Sequence, residues 1–141
     1  MKQGEIPILA EVGATGLRGA PTLTVEGSGR FEFRKNLIHM VLHEVLLKAG
    51  IPGEWIRADV LLVSSDAREP AVHVRFVMIH WDEMLVKFAP TLQYKFKLRV
   101  LAMDTVAPQW LSGISWQFPD DVDLELPELP PPTRWARRPP A

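Results

Sequence analysis

The sequence predicts an α+β fold in which two helices pack on a small sheet in the order α-β-β-α-β, between a glycine-rich N-terminal hairpin region and a proline-rich C-terminal tail. Three observations support this prediction. Apolar residues recur at helical spacing over residues 36–49, and two segments rich in β-branched and aromatic residues follow at 55–65 and 71–81. A second helical pattern over residues 82–104 precedes a last strand at 110–118.

Residues 1–35 are predicted to form the N-terminal hairpin region. Six of the nine glycines in the chain fall within its first 30 positions. Residues 21–25 would form one strand and residues 30–34 the other, joined by Glu26-Gly-Ser-Gly29. Glycine supplies the positive φ that a tight reversal needs, so this short linker suits a turn.

The first core helix is predicted to begin at Asn36, a candidate N-cap, and to end before Gly50. The stripe expected to face the sheet consists of Ile38, Val41, Leu42, Val45, Leu46 and Ala49. Leu37, Met40 and Leu47 lie outside this stripe, which makes the helix apolar on more than one face. That pattern indicates contact with a second layer or with another subunit.

The segments at 55–65 and 71–81 are predicted to be strands because apolar and polar residues alternate along them. Residues 82–104 fit two patterns. As a helix they present one apolar stripe, whereas residues 92–100 also alternate like a strand. Acidic residues suit the start of a helix and the helical stripe continues on both sides of Pro90, so a helix kinked at this proline is favoured.

Residues 119–141 are predicted to form an extended tail. An acidic part at 120–128 is followed by a part rich in proline and arginine. Proline removes backbone donors and favours polyproline II, which opposes an ordinary helix or central strand. Trp135 lies between cations in this tail, where it either anchors a docking segment or belongs to a merely disordered end.

Composition places the chain among soluble globular domains. Its 141 residues are 47% hydrophobic and 23% charged, with a net charge of −1, and a core of this size needs no metal or disulfide to fold. The absence of cysteine excludes a disulfide scaffold, a thiolate zinc site and a cysteine nucleophile. No secretory signal or membrane span is recognised, so a cytoplasmic location is expected.

Two histidines on the first predicted helix are the only candidates for a metal site. His39 and His43 are four residues apart, a spacing that places both imidazoles on one helix face. Their order with Glu44 differs from the metalloprotease motif, in which the glutamate lies between the ligands, and no clear third ligand follows. Ordinary histidines at a helix border are therefore favoured, and no metal, cofactor or catalytic residue is predicted.

A basic stretch on the second predicted helix carries the strongest binding signal. Lys87, Lys95, Lys97 and Arg99 alternate with aromatic residues, and no acid lies between positions 84 and 103. Three interpretations remain open: contact with single-stranded RNA, a solvated helix face, or contact with an acidic partner such as residues 120–128 of the same or a neighbouring copy.

The sequence as a whole predicts a non-enzymatic protein-interaction or assembly module, a subunit or adaptor of a larger bacterial-type complex or a homo-oligomer. The residues expected to bind the partner are Met40, Leu47, Lys87, Lys95, Lys97, Arg99 and Trp135. A module that binds single-stranded RNA through residues 87–99 is the alternative. The predicted order of elements resembles that of the ring-building modules of bacterial secretion and sporulation machines, and more loosely that of KH-like domains.

Overall fold

The computed structural model describes residues 6–7, 22–63, 69–120 and 128–135, and within them the predicted α+β class is confirmed. The helices are α1 Val25–Ala49, α2 Glu83–Met103 and the short α3 Ala107–Trp110. The strands are β1 Ile6–Pro7, β2 Thr22–Leu23, β3 Ile56–Leu62, β4 Val72–Met78 and β5 Leu111–Gln117.

The predicted hairpin across residues 26–29 is wrong, because helix α1 begins at Val25 rather than Asn36. Thr24 is the N-cap: its Oγ1 accepts a hydrogen bond of 3.0 Å from the amide of Gly27, which satisfies a donor at the helix start. Phe31 on the added turns is fully buried, so the extension contributes to the core. Burial of Phe31 and capping by Thr24 together outweigh the turn preference of the two glycines.

The C-terminal end of α1 is as predicted. Gly50 adopts a left-handed φ of +73°, and its amide donates to the carbonyls of Leu46 and Leu47. This conformation is costly for residues with a Cβ, which explains why glycine ends the helix. The following Pro52 leads through a 3₁₀ turn, Gly53–Trp55, directly into β3.

A three-stranded sheet forms the second layer, in the order β3-β4-β5. The predicted hairpin of β3 and β4 is confirmed, with antiparallel pairing from Ile56↔Met78 to Leu62↔Val72. Strand β5 pairs in parallel with β4, and the register shifts between Val72 and His73. A parallel pair needs a crossover connection, and α2 provides it.

Both long helices cover the same face of the sheet. Alternate residues of β3 and β4, including Val60 and Val74, are buried beneath them, together with Ile38 of α1 and Phe96 of α2. Phe76 lies at the centre of the sheet, with its ring centroid 4.9 Å from that of Phe96 in an edge-to-face arrangement. The core is therefore one apolar layer between the helices and the sheet.

Residues 83–103 form a helix, so the strand interpretation of this segment is wrong. The Asp82 carboxylate caps its start by accepting from the amides of Met84 and Leu85 at 2.9 and 3.2 Å. Pro90 is exposed and the helix continues through it. The buried stripe continues on both sides of the proline, and this burial decides between the two patterns: Leu85, Ala89, Leu92, Phe96 and Val100.

Within the predicted C-terminal tail, residues 128–135 contain a 3₁₀ turn at Pro132–Trp135 instead of a fully extended chain. The amide of Arg134 donates to the carbonyl of Pro131 at 2.9 Å, and the φ imposed by proline is compatible with this turn. Among the residues that the structure describes, no helix has the length and apolar character needed to cross a membrane.

Candidate functional site

One face of the sheet packs against the helices, and the other is here called the polar sheet face: Arg57, Asp59, His73, Arg75 and Ser115. The Asp59 carboxylate accepts hydrogen bonds from Arg57 at 2.9 Å and from Arg75 at 3.0 Å. Burial would raise the pKa of Asp59, but these two guanidinium groups outweigh burial and lower it below its ordinary value.

A second pair on the polar sheet face joins β4 to β5. The His73 Nε2 atom lies 2.7 Å from Ser115 Oγ, within hydrogen-bond distance. Gly113 faces the same imidazole, and a Cβ at that position would lie 3.2 Å from His73 Nδ1. Sequence reasoning missed this pair because it depends on the parallel register of two strands that are 40 residues apart. This contact between the imidazole and the hydroxyl links the two strands.

The opposite side of the molecule, the outer surface of α1, carries a row of exposed apolar side chains. Phe33, Met40 and Leu47 are 66%, 47% and 70% exposed. They are seven residues apart, close to two helical turns, so they form one line along α1. This line, called the α1 row, lies opposite the buried stripe that includes Ile38 and Val45. The predicted positions of Met40 and Leu47 outside the core are confirmed, whereas Leu37 is buried.

Helix α2 exposes a second set of large apolar side chains away from its buried stripe: Met84, Phe88, Tyr94, Leu98 and Leu101. Together with the α1 row, these exposed side chains of α2 are called the outer helical face; Tyr94 and Leu101 lie at its edge, beside α3. Extended groups of exposed apolar residues are uncommon on monomers and mark surfaces that bind other molecules. The outer helical face is therefore the strongest candidate for a functional surface.

A groove of about 400 Å³ runs between α1 and α2. This inter-helix groove is lined by the apolar residues Val45, Ala49, Leu98 and Ala102 and by the charged residues Glu44, Lys48, Lys95 and Arg99. The Glu44 carboxylate accepts from Lys48 at 3.0 Å and from Arg99 at 3.1 Å. The hydrogen bond from Lys48, and to a smaller extent that from Arg99, lowers the pKa of Glu44 below its ordinary value.

The structure does not bring the predicted basic residues together on one surface. Lys95 and Arg99 line the inter-helix groove. Lys97 lines a hollow on the other flank of α2 with Trp116 of β5. The Lys87 ammonium lies 5.4 Å from the centre of the Phe88 ring. Basic residues that would share one face of a strand lie on two separate flanks of a helix, because the helical period differs from two residues.

The two histidines considered as metal ligands have different surroundings. His39 Nε2 lies 3.1 Å from the carbonyl oxygen of Ala58, where it covers part of the backbone of the edge strand β3. His43 is exposed. In the described ranges, no group of three or more histidines and acids is arranged to hold a metal ion. His39 thus has a structural contact that explains its position.

The remaining predicted site residue, Trp135, ends the 3₁₀ turn of the tail and is 65% exposed. An indole with this exposure is available to a partner. No protein-family model, curated protein or solved structure matches the chain.

Proposed function

We propose that this chain is a non-enzymatic protein-interaction module that assembles with further copies of itself through the outer helical face. The observation that carries the proposal is the α1 row, in which Phe33, Met40 and Leu47 are large, apolar and exposed at intervals of seven residues. Removing such side chains from water is favourable by roughly 25 cal/mol per Å² of apolar surface.

The α1 row has the symmetry of a self-complementary interface. Met40 is its centre, and Phe33 and Leu47 lie seven residues to either side. When two such helices pair antiparallel about a two-fold axis at Met40, Phe33 of each copy faces Leu47 of the other. Isologous contacts of this kind are the commonest basis of homo-oligomers. A second copy is therefore the partner that the α1 row fits.

The dimensions of the outer helical face suit a stable contact. Helix α1 has 25 residues and is about 37 Å long at the usual rise per residue. Specific interfaces bury roughly 1,200–2,000 Å² in total, more than three side chains provide. Met84 and Phe88 of α2, which line a hollow together with Ala49 of α1, supply additional exposed apolar surface.

The arrangement of charges favours a protein partner over single-stranded RNA. RNA binding needs cations that follow a backbone together with exposed aromatic rings. Here Lys97 lies on a different flank of α2 from Lys95 and Arg99, and Glu44 sits beside Arg99. The separation of the lysines and the nearby carboxylate of Glu44 lower the local positive charge that a polyanion would meet.

The oligomeric state tests the proposed function. We expect the wild-type chain to show a concentration-dependent mass above that of the monomer in size-exclusion chromatography with light scattering. Leu47→Glu should reduce this mass to the monomer, because a carboxylate would be buried in the contact. The matched control is Val63→Glu, which changes another half-exposed aliphatic residue just after β3. Circular dichroism confirms that both variants are folded.

A symmetric cross-link tests the two-fold axis directly. The chain has no cysteine, so Met40→Cys introduces a single thiol. If Met40 lies at the axis, this thiol faces its own copy and forms an intermolecular disulfide under mild oxidation. Val63→Cys should cross-link poorly under the same conditions. A wild-type chain that is monomeric at every concentration, with equally poor cross-linking of both variants, would contradict the proposal.

A further inference from the structure

We propose that the inter-helix groove binds an extended acidic peptide in which carboxylates alternate with aliphatic side chains. This site goes beyond the self-association proposed above and does not depend on it. The α1 row faces away from the sheet, whereas the groove is formed by the flank of α1 that faces α2, at Glu44 and Lys48.

The charge of the groove indicates an anionic ligand. Three cations, Lys48, Lys95 and Arg99, line it together with one carboxylate, Glu44. Glu44 is shared by Lys48 and Arg99, and within the described part of the chain Lys95 has no ion-pair partner. A peptide with additional carboxylates would supply ion-pair partners for the cations that Glu44 does not fully neutralise.

The shape and lining of the groove indicate that the ligand is also partly apolar. Its apolar wall comes from Val45 and Ala49 on α1 and from Leu98 and Ala102 on α2. The two alanines leave space between the helices that larger side chains would fill. The cations have long aliphatic stems, so their charged ends can reach carboxylates held above an apolar floor.

An extended peptide with alternating residue types matches both properties. Successive side chains of such a peptide point to opposite sides, so aliphatic groups can enter the groove while carboxylates remain at its rim. The sequence of residues 119–129, Pro-Asp-Asp-Val-Asp-Leu-Glu-Leu-Pro-Glu-Leu, has this alternation, and its prolines oppose a helix. A synthetic peptide of this sequence is therefore a suitable probe.

The experiment measures binding of the fluorescently labelled 119–129 peptide by anisotropy. The protein is the 141-residue chain in which five carboxylates are changed to amides, so that its own acidic segment does not compete. The changed residues are Asp120, Asp121, Asp123, Glu125 and Glu128. We expect saturable binding that weakens as the salt concentration rises.

Two charge reversals on α2 provide a matched pair. Lys95 and Lys97 are both exposed lysines, two residues apart, and only Lys95 lines the groove. In this protein Lys95→Glu should weaken peptide binding about tenfold, while Lys97→Glu should change it less than about twofold. Lys95→Gln should give an intermediate loss. Circular dichroism establishes that each variant is folded.

A second peptide tests whether the aliphatic side chains contribute to binding. A peptide with serine in place of Leu124 and Leu126 keeps every carboxylate and should bind several-fold more weakly. Absence of saturable binding, equal losses for Lys95→Glu and Lys97→Glu, or equal affinity for the two peptides would each overturn the proposal. Peptide binding is measured at protein concentrations below those at which the chain self-associates, as established by light scattering, so failure of self-association and failure of peptide binding are distinguishable.

Discussion

The polar sheet face and the outer helical face enclose the same core from opposite sides, but they meet water in different ways. On the sheet, Asp59 accepts hydrogen bonds from two arginines, and His73 lies within hydrogen-bond distance of Ser115. On the helices, large apolar side chains such as Phe33 and Leu47 are about two thirds exposed. The sheet thus exposes mainly polar groups that pair with one another, although Arg75 Nε has no hydrogen-bond partner among the described residues, whereas the helices expose large apolar side chains.

This difference indicates which surface of the domain is better suited to bind a partner. Paired polar groups offer little to a partner, because binding would have to replace hydrogen bonds that already exist. Exposed apolar groups gain by leaving water, and each one that is buried favours association. The charged residues that stand out in the sequence matter mainly where they border an apolar groove, as Lys95 does.

The largest expected difference in stability is between alanine substitutions of two phenylalanines in the helical layer. Phe96 is fully buried against Phe76, whereas Phe33 is 66% exposed. In urea denaturation of dilute protein, Phe96→Ala should lower the free energy of unfolding by about 3–5 kcal/mol, and Phe33→Ala should change it by less than about 0.5 kcal/mol. A large loss from Phe33→Ala in the monomer would show that the α1 row belongs to the core and would contradict the proposed surface.

Asp59→Asn should have the next largest effect, on the polar sheet face. The substitution keeps the shape of the side chain but removes the negative charge that pairs with both Arg57 and Arg75. We therefore expect the free energy of unfolding to fall by about 1–2 kcal/mol.

The effect of Asp59→Asn should depend on pH with a defined sign. Because the pKa of Asp59 is lowered in the folded state, its contribution is complete above the ordinary unfolded pKa of about 3.9 and disappears as the pH falls through the folded value. Wild type and variant should therefore differ at neutral pH and converge in acid. A difference that is constant down to the lowest pH would contradict the assignment of the stabilisation to this carboxylate.

Ser115→Ala tests the second pair on the sheet. The hydroxyl is within hydrogen-bond distance of His73, and its removal leaves a partly buried imidazole without this partner. We expect the free energy of unfolding to fall by about 1 kcal/mol at neutral pH. Ser112→Ala, which removes the hydrogen bond from Ser112 Oγ to the carbonyl of Val72 at the other end of β5, is the comparison. Unchanged stability of Ser115→Ala would mean that the pair does not link the strands.

Much of the fold was predictable from local patterns. The β3–β4 hairpin follows from alternation, and the end of α1 at Gly50 follows from glycine's tolerance of positive φ. The start of α1 was not predictable from local preference, because two glycines before Phe31 suggest a turn. The burial of Phe31, a tertiary effect, is needed in addition to the Thr24 cap to make the helical conformation favourable there.

The candidate site was predictable only in part, for a similar reason. The exposure of Met40 and Leu47 follows from helical periodicity alone. The inter-helix groove depends on the antiparallel contact between α1 and α2, which places Glu44 beside Arg99, 55 residues later in the chain. No local pattern contains that pairing, so the groove could not be located before the packing was known, although helical periodicity alone separates Lys95 from Lys97.

The smallest expected effect concerns Glu44, the single carboxylate of the inter-helix groove. Its lowered pKa comes first from the hydrogen bond of Lys48 and then from that of Arg99, and both partners extend into solvent. Glu44→Gln should therefore change the free energy of unfolding less than Asp59→Asn does, because water screens the lost charge. An NMR titration gives the sharper readout: Lys48→Gln and Arg99→Gln should each raise the pKa of Glu44 toward its ordinary value. If neither substitution moves that pKa, the ion pairs do not persist in solution, and the cations of the groove are then even less neutralised when an acidic peptide arrives.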